Sequence, residues 1–221
     1  MAPSLREIHR RLRRRYGSPK WWKGARFEVC VGAILTQNTA WSNVEKALGA
    51  LRARGLLSYR GLRGFPVARL AQLIRSSGTY NLKARRLAGF VAFLGREYAG
   101  RVASMSREDP SALRAKLLAV QGIGRETADS ITLYAARLPL FVVDAYTRRI
   151  FSRLGLLDGD EPYDEVQRFF MKHLPRDTAL YSDYHAQIVR LGQGACRARP
   201  VCGRCPLEGV CPKRGVDSVG S

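Results

Sequence analysis

The chain has 221 residues, 46% of them hydrophobic, and carries 38 Lys and Arg against 18 Asp and Glu, a formal net charge of +20. This length and apolar content suit a globular protein of one large domain or two small ones. No apolar run approaches the roughly 18 residues of a membrane helix, and no apolar segment follows Met1–Arg6 as in a secretory signal. The protein is therefore expected to be soluble, cytoplasmic and monomeric, and its charge favours a polyanionic partner, nucleic acid before a generically basic surface.

The predicted elements are helical. Leu5, Ile8 and Leu12 recur at helical spacing among Arg10, Arg11, Arg13, Arg14 and Arg15, and Gly17-Ser18-Pro19 stops that helix. The run FEVCVGAIL, up to Leu35, is apolar enough to pass for a strand. Its continuation TQNTAWSNVEKALGAL has helical periodicity, so two helices are predicted with a break near Thr36–Thr39. Cys30, inside this run, reads as an inert buried thiol. Short helices follow near 67–76, 81–99 and 110–119, then one from about Arg125 to Arg137. LPLFVVDAYTRRIFSRLGL leads into a second helical region whose last helices are Pro162–Leu174 and Asp177–Leu191. With no internal repeat and no alternation of strands with helices, the predicted class is all-α.

The segment from Leu117 to Ala128 carries chemistry. An apolar helix ends at Val120, Gly122 and Gly124 bracket Ile123, and a new helix starts at once. Glycine permits the tight backbone of such a turn and leaves N–H groups uncovered beside a helix N-terminus, where anions bind. Ile123 would plug the gap between the helices, and Arg125 would add a charge-assisted phosphate contact. An ordinary helix–helix turn is the alternative; in so basic a chain, contact with a DNA backbone is the better reading, and it positions the protein without reading sequence. Four of five cysteines, Cys196, Cys202, Cys205 and Cys211, form C-x5-C-x2-C-x5-C. This crowding suggests metal ligation more than disulfides, and four thiolates suit zinc or a [4Fe-4S] cluster.

LTQNT at 35–39, YNLKA at 80–84, the hairpin, VDAYTRR at 143–149 and the terminal cysteines occur in this order. Together they resemble the endonuclease III branch of the helix-hairpin-helix DNA glycosylases, over about Trp21 to Pro212. The resemblance implies a six-helix barrel domain over 26–137 with its hairpin at 118–128. It implies a second helical domain from 1–25 and 138–213 carrying a [4Fe-4S] cluster, leaving a disordered tail at 214–221. Double-stranded DNA containing a damaged base is the implied partner, in the cleft between domains. The branch's cysteine pattern is C-x6-C-x2-C-x5-C, so the first gap here is one residue short. Arg197, Arg199, Arg204, Lys213 and Arg214 decorate the loop and suit a structural cluster holding basic groups against phosphates.

The resemblance places Asp144 at the branch's essential aspartate. Cleaving an N-glycosidic bond builds positive charge on the sugar, which a fixed carboxylate stabilises while orienting water. Asp144 also precedes a helix, so it reads equally as an N-cap. Glu126 stands where bifunctional members hold the lysine that forms a Schiff base with the sugar. A carboxylate cannot form that imine, so water-mediated, monofunctional cleavage is expected. Glu126 is then a second acid/base group or a first-turn residue favouring the helix dipole; Asp129, one turn on, reads as structural. Base flipping needs a gap filler, and the resemblance gives Gln37 that role. Loop 78–82, with Tyr80 and Asn81, is the second expected contact, with Lys83 and Arg85 near the backbone. Gln121, Gly122, Ile123, Gly124 and Arg125 make the hairpin contact.

Trp21, Trp22 and Trp41, the chain's three tryptophans, read either as core packing or as an aromatic slot for the flipped base. With LTQNT and a hairpin glutamate they resemble the 3-methyladenine glycosylase offshoot, whose cationic alkylated purine an aromatic face attracts. Alkylated purines are therefore the favoured lesions. The alternatives are an enzyme for oxidised pyrimidines and a lesion-binding protein without catalysis.

Overall fold

The structure, a computed structural model, describes residues 3–18 and 24–216. Among them it is helical throughout, without strands: α1 (Leu5–Tyr16), α2 (Arg26–Leu35), α3 (Trp41–Arg52), α4 (Tyr59–Leu62), α5 (Val67–Leu73), α6 (Tyr80–Tyr98), α7 (Pro110–Leu118), α8 (Arg125–Ser130), α9 (Ala145–Arg153), α10 (Tyr163–His173) and α11 (Thr178–Gln193). No described helix is long and apolar enough to cross a membrane. The chain divides into two compact units, a central one, Trp22–Leu138, and a terminal one, Met1–Trp21 with Pro139–Ser221.

In the central unit α2 is the buried axis. Every residue from Val29 to Leu35 is buried, as is Phe27; a helix apolar on all sides has no face to give to water. Its β-branched content is overridden because α3, α6 and the segment after α8 pack around it. Cys30 is fully buried and burial pushes its thiol well above the ordinary range, as an inert thiol requires. From α6, Ala84, Leu87, Phe90, Val91 and Leu94 enter the same core. The helix predicted over 125–137 keeps α geometry only to Ser130, then widens into a π turn at Ile131–Ala135. Thr132 Oγ1 donates to Ala128 O at 2.8 Å there, a side chain joining the backbone ladder.

In the terminal unit α1 lays Leu5, Ile8 and Leu12 against α11, burial contributing about 1.5–3 kcal/mol for each side chain. Arg6, Arg10, Arg13, Arg14 and Arg15 stay on its exposed face. Two α11 side chains fix its ends: Tyr184 Oη donates to Leu5 O and Arg190 Nη1 to Tyr16 O, both at 2.9 Å. Phe141 stacks on Phe170 at 4.2 Å, with Tyr181 edge-on. At the start of the expected tail the Arg214 amide donates to Arg153 O at 3.1 Å. Residues 217–221 lie outside the described residues, as do Trp21 and Trp22.

Candidate active site and nucleic-acid interface

The hairpin is built by α7, a six-residue reversal over 119–124 and α8. Asp109 caps α7, accepting from Ser111 N at 2.8 Å and Ala112 N at 3.2 Å, with Pro110 at the first helical position. Ile123 is buried between the helices. The buried Asp129 carboxylate pairs with Arg114 Nε at 2.7 Å, tying α8 to α7, a structural role. The two glycines differ. Gly122 has φ +84°, and an added Cβ would sit 2.5 Å from Arg86 Nε. Gly124 has an ordinary φ of −87°, and an added Cβ would meet nothing within 4 Å. The fold therefore needs glycine at 122 but not at 124, where its effect is to leave backbone open. Gln121, Arg125 and Glu126 are exposed around it, Glu126 in the first turn of α8.

Gln37 is joined to this hairpin. Its Nε2 donates to Gly122 O at 3.1 Å and Thr127 Oγ1 at 2.9 Å, while Arg86 Nη1 donates to its Oε1. Asn38 takes the left-handed backbone, φ 50°, that turns the loop. Tyr80 packs partly against the core, whereas Asn81 and Leu82 are exposed at the start of α6. Lys83 corrects the expectation placed on it. Its side chain has no exposure, and Nζ donates to Leu35 O at 2.8 Å, Thr39 Oγ1 at 2.6 Å and Ser77 O at 2.5 Å. Helical phase explains this: Lys83 shares the inward face of α6 with Ala84 and Leu87, while Arg85 is exposed. Trp41, at the start of α3, is 36% exposed, so it is not a core residue.

In the terminal unit Asp144 is the N-cap of α9 and only 9% exposed. One oxygen, Oδ1, accepts from Thr147 N at 2.7 Å and Thr147 Oγ1 at 2.8 Å. The other, Oδ2, lies 3.5 Å from Nε2 of the buried His185 on α11. Burial alone raises the carboxyl's pKa, but the His185 contact and charge and the Thr147 hydrogen bonds outweigh it and hold the group below its ordinary value. Asp144 thus has one oxygen committed to the helix cap and the other facing the His185 ring. The N-cap reading of the sequence holds.

A model of the HhH-GPD superfamily of base excision DNA repair proteins matches residues 31–176. The chain belongs to the HhH-GPD superfamily. A Methanocaldococcus jannaschii protein, MJ1434, named as a candidate DNA repair glycosylase, is 44% identical over 93% of this chain and 94% of its own. The HhH-GPD fold here also matches H. pylori 3-methyladenine DNA glycosylase bound to 1,N6-ethenoadenine, with TM-score 0.77 and 29% identity over 86% of this chain and 98% of that one. A non-covalent endonuclease III–DNA complex matches with TM-score 0.81 and 26% identity over 95% and 94% of the two chains. This HhH-GPD protein is accordingly a base excision DNA glycosylase, with hydrolysis of N-glycosidic bonds as its family chemistry.

The four clustered cysteines of this HhH-GPD chain line one cavity with Arg153, Pro200 and Val216. Arg153 holds the loop around it: Nη1 donates to Arg197 O at 2.6 Å and lies 3.4 Å from Cys196 Sγ, and Nη2 donates to Ala198 O at 2.9 Å. Arg149 adds bonds to Cys196 O and Gly192 O at 3.0 and 3.1 Å. The Lys213 amide points at Cys211 Sγ at 3.4 Å. Among the described residues no three His, Cys, Asp or Glu side chains form a group that could hold one metal ion. Sequence reasoning missed Thr39, Arg86, Thr127 and His185. Only Arg86 left a trace, one helical turn beyond Lys83 on α6.

Proposed function

We propose that this HhH-GPD glycosylase is monofunctional and removes damaged bases, alkylated purines above others, from double-stranded DNA by water attack. The observation that carries this reading is Glu126, a carboxylate in the first turn of α8 at the hairpin position where strand-cutting relatives are expected to hold a lysine. A carboxylate cannot become an imine, so the sugar cation must be taken by water. Asp144, held as an anion, supplies the charge that stabilises the cation. An alkylated purine is already a good leaving group, so weak acid catalysis suffices. The exposed indole of Trp41, with Trp21 and Trp22 near it in sequence, supplies aromatic faces for a cationic base. The likeness to a 3-methyladenine glycosylase supports the same substrate class. Gln37, Tyr80, Asn81 and residues 121–125 form the proposed DNA contacts.

We further propose that Cys196, Cys202, Cys205 and Cys211 hold a [4Fe-4S] cluster. The donor set fits: four sulfurs share one cavity, with the Arg153 guanidinium and the Lys213 amide directed at Cys196 and Cys211, as thiolate ligands favour. The cluster's contribution is to brace the loop bearing Arg197, Arg199 and Arg204. Near-stoichiometric iron with visible absorption is expected of purified protein; colourless protein with one zinc would refute it.

The experiment for the activity is a panel of duplexes carrying 3-methyladenine, 1,N6-ethenoadenine or an oxidised pyrimidine, with base release and borohydride trapping measured together. Release of alkylated purines without trapping is expected. Efficient trapping overturns the monofunctional reading, preference for oxidised pyrimidines overturns the substrate class, and tight binding without release of any base overturns catalysis.

A further inference from the structure

Lys83 is a charged side chain at this site that the proposed chemistry does not use and that the core alone does not require. A methionine would fill similar volume without the cost of burying an ammonium ion. Desolvation, with the like charge of Arg86 one turn away, lowers its pKa to about 8, and its hydrogen bonds run to neutral oxygens. It has three oxygen acceptors for three protons: Leu35 O at the end of α2, Thr39 Oγ1 in the turn 36–40, and Ser77 O in the short helical turn Arg75–Ser77. Thr39 closes the arrangement, with its Oγ1 2.7 Å from Ser77 O. Gly78, at φ +87°, passes so close that an added Cβ would lie 3.4 Å from Thr39 Oγ1. The two turns carry the two sets of proposed DNA contacts, Gln37 on one and Tyr80 and Asn81 just after the other.

We propose that Lys83 is a positioning residue that locks the 36–40 turn onto the 75–79 turn and so fixes Gln37 against the hairpin. A buried, fully satisfied polar network specifies one geometry where an apolar contact would tolerate several. The lock holds the loop from below while Gly122 O, Thr127 and Arg86 hold the Gln37 amide from above. Lys83 itself does not reach solvent and is no substitute for the missing lyase lysine.

The DNA-binding part of this inference rests on the proposed role of Gln37, so the test has two independent readouts. The first is amide hydrogen exchange of residues 36–40 and 77–80 in the full-length protein without DNA. The second is affinity for a duplex with a tetrahydrofuran abasic analogue. Thr39→Val removes the hydroxyl and keeps the shape; Lys83→Met removes the charge and keeps the length. Thr39→Val is expected to lower protection in both turns and to weaken binding about fivefold, the value of one lost buried hydrogen bond. In a Gln37→Ala background the same change is expected to cost less than twofold, because the two act through one element. Lys83→Met, which removes all three donated bonds, is expected to lower protection in the same two turns. Unchanged protection in Thr39→Val overturns the proposal, as does the same fivefold loss with Gln37 absent. Loosened turns in Thr39→Val, with Gln37→Ala binding as tightly as wild type, support the lock and remove the proposed role of Gln37.

Discussion

Asp144→Asn separates the helix-capping role of this carboxylate from the catalytic role proposed for it. As an N-cap, asparagine serves as well as aspartate; its amide oxygen can still accept from Thr147 N and Oγ1, which now bond Oδ1 at 2.7 and 2.8 Å. What disappears is the negative charge 3.5 Å from His185 Nε2. The Asp144 pKa is lowered in the fold, so the unfolded chain binds more protons in the window between the two values. Its ionisation stabilises the fold above the ordinary carboxyl value of 3.8 and this contribution fades as pH falls through the folded one. At neutral pH the variant should therefore be less stable than wild type, with Tm lower by a few degrees at most. The sugar cation, by contrast, loses its fixed anion. If that electrostatic support is worth about 3–5 kcal/mol, base release falls by roughly 10²–10⁴. Single-turnover release from an alkylated duplex, measured beside thermal melts, checks both numbers. Asp144→Ala should lose a similar factor in rate and a further ~1–2 kcal/mol of stability with the cap. Near wild-type release by a folded Asp144→Asn would refute the catalytic assignment and leave Asp144 as a helix cap.

Three other outcomes follow from the same geometry. His185→Asn removes the strongest counterweight to the desolvation of Asp144, so the carboxyl pKa rises; the acid limb of the pH–rate profile should move to higher pH, and an unmoved limb would show that the contact is not felt. Glu126→Lys should give more borohydride trapping on an abasic duplex than wild type, since it puts a lysine in the first turn of α8; no gain in trapping by a folded, DNA-binding variant would mean that position 126 does not face the sugar. Lys83 has its pKa lowered to about 8 from 10.5, so the unfolded state binds more protons between these values and its contribution to stability grows as pH rises across that window. Urea melts at pH 8 and 10 should show this rise relative to Lys83→Met, and parallel curves would contradict it.

Much of the fold was legible because it depends on local pattern. Gly17, the Thr36–Thr39 break, Pro66, Pro110 and Pro139 punctuate apolar periodicity, and the helices fall between them. The π turn after Ser130 was not legible, since it turns on where the Thr132 hydroxyl bonds. At the site, local sequence pattern made Asp144 as a helix cap, the two-glycine hairpin and the clustering of four cysteines legible. It misplaced Lys83 because a lysine in a basic chain reads as a surface group, and only the phase of α6 against α2 turns it inward. It missed His185 because nothing in the chain links position 185 to 144 until α11 packs on α9.

The unequal glycines of the hairpin give a sharper test of DNA contact than removing any of its charges. At Gly122 a side chain is excluded by the fold itself: φ is +84° and Arg86 occupies the space. Gly122→Ala should cost about 1–2 kcal/mol of stability through backbone strain, and any loss of binding would follow from misfolding. At Gly124 the backbone is ordinary, the position is the N-cap of α8 and the Cβ direction is open. Gly124→Asp therefore provides a good cap and should leave stability unchanged or raise it by a few tenths of a kcal/mol. If a phosphate sits on those N–H groups, the same carboxylate takes its place and repels it, and affinity for duplex should fall about tenfold or more. A stable Gly124→Asp that binds DNA like wild type would mean that phosphate does not bind at the hairpin, and that its open backbone is only the start of a helix.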